Sequence, residues 1–133
     1  MEGHKDDWNV NVLAQYAGVA ALGDRDYQNE SRRLVAAERD RLYAALTHMS
    51  GIEVCRPCVN FLLWRLADDI PAEVLIEALR DEGILVRSCA NYVGLSPSYI
   101  RTAVRSPWDN KSFIQILQEK LTNLRNLQKN IKR

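Results

Sequence analysis

The sequence predicts an α+β fold in which a mostly antiparallel sheet of about four strands carries helices on one side, in the order ααββαββα. Three observations predict it. Apolar residues recur at helical spacing within 10–21, 35–49, 74–79 and 114–124. Short β-branched or continuously apolar runs occupy 52–54, 59–66, 84–87 and 99–105. Helical and strand segments are grouped rather than strictly alternating, which favours antiparallel pairing.

Residues 1–7 read as a ragged start to a single domain spanning 1–133. A first helix begins near Asn9, a good N-cap, and puts Val10, Leu13, Ala14, Ala17 and Ala21 on one face. That stripe is mostly alanine, so the helix can lie close to a neighbour. Gly23-Asp24 ends it. A longer helix over 26–49 buries Val35, Leu42, Ala45, Leu46 and Met49. It turns Arg32, Arg33, Glu38, Arg39, Asp40 and Arg41 to solvent, and Ser50-Gly51 stops it. Ile52-Glu53-Val54 then alternates as a strand does. The run 59–66 is apolar on both faces, as a central strand covered on both sides would be, and Arg56-Pro57 marks the break before it. Pro71 suits a helix start, Val74, Leu75, Ala78 and Leu79 form that helix's buried side, and Gly83 hands over to a strand at 84–87. A loop over 88–98 leads to a strand at 99–105. Ser106-Pro107-Trp108-Asp109 carries an S-x-x-D cap with proline at the first helical position. Ile114, Leu117, Leu121 and Leu124 continue that last helix, and Ile131 extends it.

The 133 residues are 47% hydrophobic and 26% charged, which supports one packed core rather than disorder. A formal net charge of +1 gives no general pull toward nucleic acid or membrane surfaces. After Glu119 the chain has no acid but keeps Arg125, Lys129, Lys132 and Arg133, which reads as a solvated helix end. No apolar run is long enough to span a bilayer, and the polar start has no signal-peptide core. Three cysteines, Cys55, Cys58 and Cys89, argue against a disulfide framework and for a reducing cytoplasm.

Two cations stand out. Arg87 and Arg101 each interrupt an apolar strand pattern. Alternation places Ile100, Thr102 and Val104 on a core face, with Tyr99, Arg101, Ala103 and Arg105 opposite. An arginine fixed on a strand can grip a carboxylate or phosphate with both arms of its fork. The alternative is an ion pair within the chain, with Asp68, Asp69, Asp81 or Glu82 as partners.

Other motifs carry less. Cys55-Arg56-Pro57-Cys58 lacks the further ligands that zinc needs, since only Cys89, His4 and His48 remain, so no metal site is expected. A redox site of the thioredoxin type would sit before a helix, whereas a strand follows here. These cysteines read as packing residues at a strand turn. Trp8, Trp64 and Trp108 read as core or interface residues. No P-loop, GxGxxG, HExxH or serine triad is present, so no residue is assigned as catalytic.

Five segments taken together resemble fold-type I pyridoxal-phosphate enzymes. They are WNVNVLAQYAGVAAL at 8–22, RRLVAAERDRLYAAL at 32–46, CVNFLLWRL at 58–66, LIEALRDEGILVRSCANYVGL at 75–95 and YIRTAVRSPWDN at 99–110. The resemblance is to the C-terminal small domain of the branch containing threonine-phosphate decarboxylase and histidinol-phosphate aminotransferase. It implies that Arg101 grips the substrate α-carboxylate and that Arg87 contacts carboxylate or phosphate. Arg105 matches an arginine of the decarboxylase group without an assigned role. Asn9 and Asn11 match an opening motif near an interdomain hinge.

The same resemblance implies pyridoxal phosphate as cofactor of the intact enzyme, a small phosphorylated amino acid as substrate, and a homodimer. The family's cofactor-linking lysine matches none of Lys5, Lys111, Lys120, Lys129 and Lys132. A large cofactor-binding domain is therefore expected to be missing, and the chain is expected to be inactive and free of cofactor by itself. The expected function is the substrate-clamping domain of an L-threonine-O-3-phosphate decarboxylase of cobalamin biosynthesis. The alternatives are the same domain of histidinol-phosphate aminotransferase or another class I/II aminotransferase, or a free-standing anion-binding regulatory domain. Near-neutral charge and the absence of paired aromatics on 99–105 argue against a nucleic-acid module.

Overall fold

A computed structural model describes residues 10–67 and 70–131. The expected ragged start, Asn9, Trp8, His4 and the aspartates Asp68 and Asp69 lie outside the described residues. Two compact units are present, one ending at Leu34 and one beginning at Val35.

In the first unit, α1 (Val12–Gly23) is capped by Asn11, where the sequence led us to expect Asn9. The Asn11 side chain accepts the N–H of Ala14 at 2.9 Å, the third helical position, as a short amide at an N-cap does. Asp24 closes α1 and opens α2 (Arg25–Thr47): its Oδ1 accepts the N–H of Tyr27 at 3.0 Å. Gln28 Nε2 donates to the Ala21 and Leu22 carbonyls at 3.1 and 2.8 Å, satisfying carbonyls that the end of α1 leaves open. The alanine stripe expected to pack tightly is exposed, and α1 has no buried residue. Val12, Leu13, Tyr16, Val19 and Leu22 are all exposed, and small residues, mostly alanine, occupy the opposite side of the helix.

In the second unit, β1 (Ile52–Val54), β2 (Phe61–Leu66), β3 (Arg87–Ser88) and β4 (Tyr99–Ala103) form one antiparallel sheet ordered β1-β2-β4-β3. With α3 (Ala72–Asp81) and α4 (Pro107–Ile131) this is the expected α+β architecture. Leu62, Trp64, Leu66 and Ile100 point into a core shared with Leu42 and Leu46 of α2, Leu75 and Leu79 of α3, and Leu117 and Leu121 of α4. Buried Trp64 Nε1 donates to buried Thr102 Oγ1 at 2.8 Å, so neither polar atom is stranded.

Several expectations are corrected. β2 begins at Phe61, and its burial alternates, so helices cover one of its faces. The run Ile84-Leu85-Val86 is not a strand. Gly83, at φ +75°, and Ile84 instead finish α3: their N–H groups reach the Arg80 and Leu79 carbonyls at 2.8 and 2.9 Å. The donor of Ile84 is thus committed to the helix end, and β3 starts only at Arg87. Trp108 is 77% exposed, which removes the core half of its core-or-interface reading. Cys55 and Cys58 are exposed rather than packed.

Glu38, read as part of a solvent face, is 2% exposed. Its carboxylate meets Arg41 Nη1 at 2.6 Å and accepts from Asn110 Nδ2 at 3.0 Å. Buried Asn110 also donates to the Arg105 carbonyl at 2.9 Å and accepts the Arg105 N–H at 3.1 Å. One side chain therefore fastens the exit of β4 to the start of α4 and to α2.

The expected cap at Ser106 is present, its Oγ accepting the Asp109 N–H at 3.2 Å. Hydrogen bonding to Ser106 first, and to Arg105 second, holds the Asp109 carboxyl below the usual carboxylate range. A depressed folded-state pKa contributes stability above the ordinary aspartate value, and the contribution is lost as pH falls through the folded value. The wild-type advantage in Tm over Asp109→Asn should therefore be constant above about pH 5 and shrink at more acid pH, as a calorimetric pH series would show.

Candidate functional site

β4 alternates as its sequence requires: Ile100 and Thr102 are buried, while Tyr99, Arg101 and Ala103 lie on the opposite face. β3 pairs with β4 so that Arg87 stands directly opposite Arg101. Side chains directly opposite on one face have Cβ atoms about 5 Å apart, and like charges so placed repel. Among the described residues neither guanidinium has an ion pair or hydrogen bond. Of the internal partners considered, Glu82 is taken by Lys120 and Asp81 does not pair with either arginine.

The same face holds a contrasting arginine. Arg65 is opposite Glu53 and grips its two carboxylate oxygens at 2.8 and 3.0 Å. That hydrogen-bonded pair raises the Arg65 pKa above its already high value. Arg65 is therefore compensated within the chain, whereas Arg87 and Arg101 have no such carboxylate partner among the described residues. Arg101 has one contact that sequence reasoning missed. Its Cζ lies 4.9 Å from the centre of the Phe61 ring, so the aromatic face supports the guanidinium and leaves its N–H edge free. Finding Phe61 needed the β2–β4 register, which no local pattern announces.

The remaining candidates lie elsewhere. Arg105 pairs with Asp109 at 3.2 Å and lines a cleft of about 470 Å³ bordered by Leu85 and Trp108. Asn11 is the cap of α1, in the first unit. Among the described residues no group of three His, Cys, Asp or Glu side chains could hold a metal ion, and no helix is long and apolar enough to cross a membrane.

Fold and geometry together define a class: an α+β domain with two opposed arginines on a sheet face, neither paired with a carboxylate among the described residues. The chain belongs to the family of class I and II aminotransferases, whose model it matches over residues 1–117. It is 32% identical over 120 residues to the histidinol-phosphate aminotransferase of Methanosphaera stadtmanae, covering 90% of this chain and 33% of that protein. It is 36% identical over 118 residues to the threonine-phosphate decarboxylase of Salmonella typhimurium, covering 88% and 32%. The crystal structure of the histidinol-phosphate aminotransferase from Clostridium acetobutylicum superimposes with a TM-score of 0.81 at 32% identity, covering 92% of this chain and 36% of that one. The fold is thus that of part of a fold-type I pyridoxal-phosphate enzyme. The chain spans about a third of the length of these relatives.

The described lysines, Lys111, Lys120 and Lys129, all lie on α4. Lys120 pairs with Glu82, and that hydrogen bond raises its pKa. Lys111 and Lys129 are exposed on α4, and Lys5 and Lys132 lie outside the described residues.

Proposed function

We propose that this chain is the substrate-clamping part of a pyridoxal-phosphate-dependent L-threonine-O-3-phosphate decarboxylase of cobalamin biosynthesis. The observation that carries the reading is the Arg87–Arg101 pair, opposed across β3 and β4 without an internal carboxylate among the described residues. The substrate brings two anionic ends, a carboxylate and a phosphate, to two adjacent cations. Arg101, steadied by Phe61, takes the α-carboxylate, and Arg87 takes the remaining charge. Each contact is charge-assisted and worth on the order of 1.5–3 kcal/mol. Held at both ends, the substrate loses rotation about its Cα–carboxylate bond, so this chain contributes orientation. The electron-withdrawing ring that stabilises a carbanion is held by a larger cofactor-binding domain outside this chain, which by itself is inactive. In this reading the intact enzyme is a cytoplasmic homodimer, and the chain engages neither nucleic acid nor membrane.

A histidinol-phosphate aminotransferase is the second reading, favoured by the similarity to the Clostridium structure. The two substrates differ in the group that Arg101 is assigned. Histidinol phosphate has a phosphorylated hydroxymethyl group where phosphothreonine has a carboxylate, so it brings one anionic group to the arginine pair where phosphothreonine brings two. Calorimetric titration of the chain should give saturable binding of O-phospho-L-threonine on the order of millimolar, weakened by salt, with histidinol phosphate at least about tenfold weaker. Equal affinities would favour the aminotransferase, and no saturation by either compound would remove the clamp.

A further inference from the structure

The exposed pair Cys55 and Cys58 has no part in the site described above. Its placement gives it a connection to that site. The Cys55 N–H donates to the Leu63 carbonyl at 2.9 Å, continuing the β1–β2 ladder by one residue. Leu63 is opposite Arg101, and Arg101 is opposite Arg87. A row therefore crosses the sheet from Cys55 through Leu63 and Arg101 to Arg87. Strand spacing puts the Cys55 main chain about 10 Å from that of Arg101. The next anchored residue is Asn60, whose carbonyl accepts the Val104 N–H at 2.8 Å. Between the anchors, residues 56–59 make no main-chain hydrogen bond among the described residues. That segment can bend without breaking a ladder bond.

We propose that Cys55 and Cys58 form a two-electron thiol–disulfide site, oxidised by a low-molecular-weight disulfide, and that closing it weakens anion binding at Arg87 and Arg101. The thiolate of Cys58 attacks one sulfur of the oxidant, breaks its S–S bond and releases one thiolate, which takes a proton from solvent. The thiolate of Cys55 then attacks the Cys58 sulfur and expels the second. Two cysteine thiols give up two electrons and two protons, and the oxidant leaves as two thiols. A disulfide holds the two Cα atoms within about 7 Å, which constrains the path between the anchored residues 55 and 60. Phe61 follows Asn60 directly and supports Arg101, so that constraint acts next to the clamp. This second half rests on the anion-clamp reading, whereas the thiol chemistry does not.

The test treats the full chain with oxidised glutathione under native conditions. Remaining thiols are then alkylated in denaturant, and the peptides are weighed. The expected result is a loss of about 2 Da from the peptide holding both residues, with buried Cys89 alkylated, and a stable glutathione adduct on Cys58 in a Cys55→Ser variant. Adducts that persist on the wild type, no reaction at either residue, or a bridge to Cys89 would overturn the site. O-phospho-L-threonine titrated against the oxidised chain should bind roughly fivefold more weakly than against the reduced one, with affinity restored by dithiothreitol. Unchanged affinity overturns the coupling. A reduced chain that binds no phosphothreonine overturns the clamp, and the coupling with it, while the peptide mass still decides the thiol site.

Discussion

Arg101→Met should abolish saturable binding of O-phospho-L-threonine in titration calorimetry, since a loss of about 100-fold, close to 3 kcal/mol, takes a millimolar site to roughly 100 mM. Arg101→Lys should recover little of this, because a point charge lacks the planar fork that meets a carboxylate at two atoms. The accompanying effect on stability separates a clamp from a structural arginine. Arg87 faces Arg101 directly, and opposed like charges destabilise an antiparallel pair by a few tenths of a kcal/mol up to about 1. Arg87→Met should therefore weaken binding and at the same time raise the unfolding free energy of the ligand-free chain. An arginine kept for an internal ion pair would do the reverse. Urea unfolding beside the titration reads both signs, and a destabilised Arg87→Met variant would contradict the argument.

Asn110→Ala should produce the largest loss of stability, about 2–4 kcal/mol in urea unfolding. The substitution removes three hydrogen bonds and leaves the buried Glu38 carboxylate with Arg41 alone. Asn110→Asp should be worse at neutral pH, where it sets a second carboxylate against Glu38. If Asn110→Ala costs less than about 1 kcal/mol, the network does not hold the β4–α4 junction.

The order of elements was legible because periods of 3.6 and 2 alternate cleanly along the chain. What escaped was whatever depended on pairing or on a polar residue in an apolar stripe. Glu38 falls between Val35 and Leu42 at helical spacing, and Asn110 lies four residues before Ile114. The period marked both as buried, but their polarity was allowed to override it. The β-branched run at 84–86 read as a strand by propensity, yet the N–H of Ile84 is taken by the end of α3. Propensity does not foresee a donor already spent. The two arginines were visible as oddities in apolar runs. Their face-to-face placement was not, since it depends on a register linking residues fourteen positions apart, nor was the aromatic platform under one of them.

The shortness of β3 bears on how tightly any ligand is held. Its two residues, with the Cys89 N–H donating to the Tyr99 carbonyl at 3.0 Å, make up the backbone pairing of that border with the sheet among the described residues. So small an attachment is expected to open more readily than a longer strand would, and each opening would carry Arg87 away from its counterpart. Measured affinity is then the intrinsic affinity multiplied by the fraction of time the border stays zipped. Lengthening that border by one well-chosen residue would tighten binding without altering either guanidinium.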